Sequence, residues 1–152
     1  MLTNKFVPLS SAEIQAVSSP YLSDGRKFES WKIKEIQIND QSLKAMVTMD
    51  SIYPPSEDDF HLTFITAMEI VSQLQIVYMH AWAGLTVKTQ EVWMIENHMR
   101  TIRPIKNRDH IQIEMKLEKM RKKNNIYFCT ASHRVTDNQN GLFEIWIKAL
   151  MS

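Results

Sequence analysis

The chain has 152 residues, a length suited to one domain, and 44% of them are apolar, enough for a core of ordinary size. With 18 Lys and Arg against 17 Asp and Glu, net charge gives no argument for nucleic acid or an anionic membrane as a partner. Cys129 is the single cysteine and glycine occurs three times, which excludes a disulfide framework, a thiolate metal cluster and a glycine-rich phosphate loop.

In chain order, Ser10 followed three residues later by Glu13 is a capping-box signature, so a short helix begins there and Pro20 stops it. From Phe28 the pattern turns strand-like, with Trp31, Ile33, Ile36 and Ile38 apolar. "NDQS" is a turn, and Leu43, Ala45, Val47 and Met49 then alternate, completing a hairpin. "YPPSEDD" is a loop, because Pro54 and Pro55 cannot donate to a ladder and the acids prefer water. "FITAMEIVSQLQIVYMHAW" is the longest apolar stretch, interrupted by Glu69, Gln73, Gln75 and His80. It predicts a central helix from Thr66 to Ala83, with Ile70, Leu74, Val77 and Ala81 as its apolar stripe and Gly84 as its stop. The remainder reads as β: "WMIENHMRTIRPI" with mixed faces, then "HIQIEMKL", "IYFCTASHRV" and "LFEIWIKAL", separated by the turns "RKKNN" and "TDNQNG".

The expected architecture is α+β, one domain over residues 1–152, with a long central helix wrapped by a curved antiparallel β-sheet: the hotdog arrangement. One such subunit leaves part of the helix and a sheet edge uncovered, so a homodimer or a dimer of dimers is expected. The first 15 residues lack an apolar signal core and no run approaches ~18 uninterrupted apolar residues, so a cytoplasmic protein without a membrane span is expected.

Glu69 is the first candidate for chemistry. Thr66 at N-cap with Glu69 three residues on fits a capping box, which by itself explains a carboxylate there. The same place also suits catalysis. Helix N-terminal amides can polarise a carbonyl as an oxyanion hole does, and a carboxylate among apolar neighbours can serve as a base. Gln73 shares the face of Glu69, Gln75 and His80 add polar groups that suit a seam between subunits, and His61 in the preceding loop offers an acid/base partner. The histidines lack metal-ligand spacing, so no metal is expected. Two basic clusters stand out: Arg100, Arg103, Lys106 and Arg108, and Lys116, Lys119, Arg121, Lys122 and Lys123. They read as solvated turns and protected edges, or as a dock for phosphates or an acidic carrier protein. No aromatic interleaving supports nucleic-acid binding.

Four segments resemble the FcoT-like hotdog thioesterases, a long-chain fatty acyl-CoA thioesterase family, over about Ser11 to Leu150: "AEIQAVSSPYLSDGRKF", "SIYPPSEDDFHLTFITAMEIVSQLQ", "TIRPI" and "DNQNGLFEIWIKAL". The resemblance implies a thioester site lined by two tyrosines, at Tyr21 and Tyr53, and two asparagines, replaced here by Thr66 and Gln75. A family histidine is replaced by Phe64, and the loop after Tyr53 is longer.

The resulting expectation is hydrolysis of a fatty acyl thioester. Glu69, Tyr53, Tyr21, Thr66 and His61 are the catalytic candidates, and Gln75, Gln73, Arg103 and Lys106 the substrate-binding ones. Coenzyme A or the phosphopantetheine of an acyl carrier protein enters as part of the substrate, with no separate cofactor. The alternatives are addition or elimination at the β-carbon, with His61 and Glu69 as acid and base, and a non-catalytic hotdog binding module.

Overall fold

The structure, a computed structural model, describes residues 6–55 and 60–152. The acidic end of the "YPPSEDD" loop, 56–59, lies outside the described residues. Two short helices open the chain, α1 (Ser11–Val17) and α2 (Pro20–Ser23), followed by a 3-10 turn, Gly25–Phe28. The predicted capping box forms at α1: the Ser10 hydroxyl accepts from the Glu13 amide, and the Glu13 carboxylate accepts from the Ser10 amide. Pro20 does more than stop α1. It takes the first position of α2, where its missing N–H costs nothing.

The hairpin is β1 (Ser30–Ile38) and β2 (Ser42–Ser51), closed by Asn39, whose Oδ1 accepts from the amides of Gln41 and Ser42. A register shift between Ile33 and Glu35 explains why the apolar residues of β1 skip from Ile33 to Ile36: one extra residue resets which side faces inward. After helix α3 (Phe64–Trp82) come β3 (Val92–Arg103), β4 (Ile111–Lys123), β5 (Ile126–Thr136) and β6 (Leu142–Met151). β4 outruns the expected "HIQIEMKL" by six residues, and Asn124 and Asn125 make its turn at φ 50° and 63°, the left-handed region that asparagine tolerates.

One six-stranded antiparallel sheet runs β1-β2-β4-β5-β6-β3, so β1 and β3 are its free edges. The inward residues of β2, β5, β6 from Phe143 and β4 as far as Met115 alternate and form the core with α3. β3 differs. Apart from Val92 and Met99, every residue on it is exposed, which is why its sequence shows no clean alternation. No helix among the described residues is long and apolar enough to cross a membrane.

The start of α3 departs from expectation. The N-cap is Thr63, whose hydroxyl accepts from the Thr66 amide, and the first helical bond is Ala67 N–H to Thr63 C=O at 3.0 Å. The chain enters the helix three residues earlier than Thr66, so Glu69 lies in the second turn and the Thr66–Glu69 capping box does not form. The apolar stripe is also rotated. Ala67, Ile70, Val71, Leu74 and Tyr78 are buried, whereas Ala81 is exposed. Tyr78 displaces Val77 from the stripe because its ring fills the core while its hydroxyl donates to Asp40 C=O at 2.8 Å. Burial pushes that phenol up to about 12. Gly84 ends the helix at φ 74°, as its lack of a Cβ permits.

Candidate functional site

Four oxygen-bearing side chains converge at the start of α3. The Tyr21 hydroxyl donates to Glu29 Oε2 at 2.9 Å, and the Thr66 hydroxyl donates to the same oxygen at 2.7 Å. Thr63 Oγ1 lies 2.7 Å from the Tyr21 oxygen and 3.2 Å from that of Thr66. Since the Tyr21 and Thr66 protons go to Glu29, Thr63 is the donor inside this ring. Thr66 is buried, so its hydroxyl serves the cluster and not open solvent. Glu29 was missed by the sequence reading. It lies 37 residues from Thr66 and follows a 3-10 turn with no chemical signature, so no local pattern marks it.

The other tyrosine, Tyr53, packs rather than bonds. Its ring lies 6.4 Å from those of Tyr21 and Phe28 and covers Gly25, where an added Cβ would come within 2.3 Å of it. That contact fixes the 3-10 turn against the loop after β2. It also delivers Arg26, whose Nη2 forms an ion pair with Glu69 Oε1. Both partners are partly exposed, at 36% and 47%, so the pair orients more than it stabilises.

Glu69 and Gln73 look into a groove of about 630 Å³ between α3 and the inner side of β3. Its walls are mostly apolar, with Trp31, Ile65, Met68 and Met99 prominent, and Asn97 joins from β3. Phe64 and Ile65, at the groove's upper end, occupy the first turn of α3, and their amides have no acceptor among the described residues. A second cavity, of about 480 Å³, gathers Tyr21, His61, Thr63 and Arg103. Phe64 lines both and is the partition between them. His61 therefore sits in one cavity and Glu69 in the other, so the proposed acid/base pair is not assembled in a single pocket.

Two further sequence candidates fall elsewhere. Gln75 is buried, beside Cys129, deeper along α3. Lys106 uses its backbone amide, not its side chain, in the best-defined contact it makes, donating to Asp137 Oδ2 at 2.7 Å. Burial pushes the Asp137 carboxyl up, but the amides of Lys106, Gly141, Asn107 and Gln139 outweigh it and hold the group below its ordinary value. Arg103 is tethered there too, its Nε donating to Asn140 C=O at 2.6 Å, and it lines the smaller cavity. Arg108 is committed to the fold, donating to Met49 and Asp50 carbonyls. Among the described residues, no group of three His, Cys, Asp or Glu side chains is placed to hold a metal ion.

No protein-family model and no curated protein matches this chain. Solved structures do. A thioesterase from Haemophilus influenzae is 10% identical, covers 96% of this chain and 92% of its own, and has a TM-score of 0.55. A hot-dog-like protein from Thermanaerovibrio acidaminovorans is 10% identical over 82% of this chain and 80% of its own, with a TM-score of 0.50. The fold is the hotdog fold. A hypothetical thioesterase from Streptococcus pneumoniae, solved with coenzyme A, is 7% identical over 81% of this chain and 89% of its own, with a TM-score of 0.56. At such identities the likeness concerns the hotdog fold, and the chemistry has to be argued from this chain's own groove.

Proposed function

We propose that this protein hydrolyses fatty acyl thioesters of coenzyme A or of an acyl carrier protein, in the manner of the FcoT-like thioesterases it resembles. The observation that carries the reading is the apolar groove of about 630 Å³, with the free first-turn amides of α3 at one end and Glu69 and then Gln73 along its wall. An acyl chain needs a long apolar wall, and a thioester carbonyl needs donors where its oxygen gains charge. The names of the fold's neighbours agree with this reading.

In the reaction, the acyl chain lies along α3 and β3, and the carrier arm leaves past Phe64 into the smaller cavity. There Arg103, with Lys106 nearby on the same loop, meets phosphate or an acidic carrier surface. The amides of Phe64 and Ile65 stabilise the tetrahedral oxyanion. Arg26 holds Glu69 Oε1, and Oε2 takes a proton from the water as it adds to the carbonyl; collapse of the oxyanion then breaks the C–S bond, and the carrier thiol leaves with that proton. Gln73, one turn beyond Glu69 on the same face, holds the water. Tyr21, Thr66 and Tyr53 act behind the first turn, keeping its amides in place, and no separate cofactor is needed. The β-carbon reaction would require His61 and Glu69 to share one substrate atom, which their separate cavities disfavour.

The working unit in this proposal is a dimer. β3 is a free edge with Trp93 61%, Ile95 48% and Met94 39% exposed, and the groove opens beside it. Pairing two β3 edges would satisfy their backbone groups and roof both grooves. A cytoplasmic location fits Cys129 as a free thiol. The test is incubation of the purified protein with acyl-coenzyme A of graded length and with loaded carrier protein, read by mass spectrometry. Free acid is expected. A water-loss or adduct mass points to the β-carbon reaction, and an untouched thioester refutes both. Light scattering that gives a monomer at micromolar concentration removes the dimer.

A further inference from the structure

The groove does not stop at Gln73. Ser72 and Ile76 line both it and a smaller cavity of about 150 Å³, enclosed by α3, the start of β3 and β6. The other walls are Val92, Met94, Ile147 and Ala149, all apolar, with one exception. Gln75 borders this cavity with 1% of its surface exposed, and both its amide nitrogen and its carboxamide oxygen lack a hydrogen-bond partner among the described residues. The Cys129 thiol lies beside it, but burial pushes that thiol up to about 12, so the sulfur stays protonated and is a weak partner. A buried amide left with nothing better than a thiol beside it is rare in a folded protein and calls for an explanation. Leucine or methionine would pack against Val92 and Ile147 with no such penalty.

We propose that Gln75 is a recognition group for a polar substituent carried on the acyl chain, so that the preferred substrates are hydroxylated or oxo-substituted acyl thioesters and not plain saturated ones. Hydroxyl and keto groups are the smallest that satisfy the amide from within an apolar slot. Sites that hydrogen-bond a substrate hydroxyl discriminate strongly against the analogue lacking it, because that analogue leaves the site's own polar atoms unpaired. Position follows from the helix: Gln75 lies six residues beyond Glu69, about 9 Å along the axis, on the order of seven carbon–carbon bonds of extended chain. The inference rests on the proposed thioester site only for that register; the unpaired amide and its cavity are independent of it.

The experiment uses free acids, so that binding is read without turnover. Decanoic, 3-hydroxydecanoic and 8-hydroxydecanoic acids are titrated calorimetrically into the wild-type protein and into Gln75→Met, with light scattering on both proteins. The wild type is expected to bind the 8-hydroxy acid at least about tenfold more tightly than decanoic acid and than the 3-hydroxy isomer. In Gln75→Met that preference should vanish or invert. Equal binding of all three acids by the wild type, binding of none, or a preference that survives Gln75→Met overturns the proposal. So does a Gln75→Met protein that falls to monomers with its ligand preference unchanged, which assigns the amide to a subunit seam. Should Gln75→Met fail to fold, the positional preference of the wild type decides alone. Loss of acyl-coenzyme A hydrolysis with the 8-hydroxy preference intact would refute the thioesterase reading and leave this one standing.

Discussion

The two long faces of α3 share one helix and meet opposite fates. One face, Ala67, Ile70, Val71, Leu74 and Tyr78, is sealed against the sheet at 0–1% exposure. The other, Ile65, Met68, Glu69, Ser72, Gln73 and Ile76, lines an open groove and is only partly covered. The sealed face holds the molecule together through buried area, which has no direction and tolerates no gaps. The open face carries the polar groups with free valences, among them Glu69 Oε2. Under the proposed reading, stability and chemistry are separated by about half a turn of one helix, and substitutions should separate them too.

The largest effect is expected at Glu69→Gln. Turnover should fall ~10²–10⁴-fold because an amide cannot accept the proton from water, while stability changes by less than ~1 kcal/mol, since only an exposed ion pair is lost. Both are read on one sample by melting and initial rates; a folded protein with wild-type turnover removes Glu69 from the mechanism. The converse is Leu74→Ala, expected to cost ~2–5 kcal/mol in denaturant unfolding through the cavity it leaves. Its turnover per folded molecule should be unchanged, and a specific loss of rate would mean that the two faces are coupled.

Acid probes the sealed side alone. Burial holds the His133 imidazole down to about 4 from its ordinary 6.5. Below about 6.5 the unfolded chain takes up a proton that the folded one refuses, so stability should fall as pH drops from 6.5 toward 4 and be fully present above that window. His133→Met should flatten that limb in pH-dependent unfolding curves; an unchanged slope would place the acid lability elsewhere.

Smaller effects belong to the helix start. Glu29→Ala strips two hydroxyls of their acceptor and should cost ~1–3 kcal/mol. Glu29→Gln, whose carbonyl oxygen can accept both bonds, should restore most of that. Turnover that collapses in both variants would make Glu29 a participant in catalysis. Least of all, charge reversal at Arg103 and Lys106 should raise KM and make it less salt-sensitive with kcat untouched. Unaltered kinetics would return both residues to the Asp137 loop as structure only.

Much of this fold is readable in the chain, and the reasons are physical. Alternation in β2, β5, β6 from Phe143 and β4 as far as Met115 is enforced by one buried side, so it survives in the sequence. The capping box at Ser10 and the Asn39 turn are local hydrogen-bond devices and announce themselves. The start of α3 did not, because Thr63 and Thr66 are both competent caps and the choice depends on the cluster around Glu29 and Tyr21. The stripe shifted from Val77 to Tyr78 because the reach of a tyrosine hydroxyl to Asp40 is a tertiary matter. Of the residues at the candidate site, Glu69 and Gln73 share a helical face and could be placed together from spacing. Glu29, Arg26 and Asn97 could not, since each arrives from a distant segment.

The two free edges of the sheet have different futures in a concentrated solution. β1 carries Lys32, Lys34 and Glu35, charges that repel an incoming strand. β3 carries Trp93, Met94 and Ile95 in the open. Were β3 to dock on β1 of a neighbour, each addition would expose a fresh β3 and the chain of sheets would grow without end. A β3–β3 union instead uses up both sticky edges at once and leaves only guarded ones outside. In the proposed dimer, the charges on β1 are what favour a particle of fixed size over a fibre. Replacing Lys32 and Lys34 with valine should turn a clear solution into one that scatters light progressively with time.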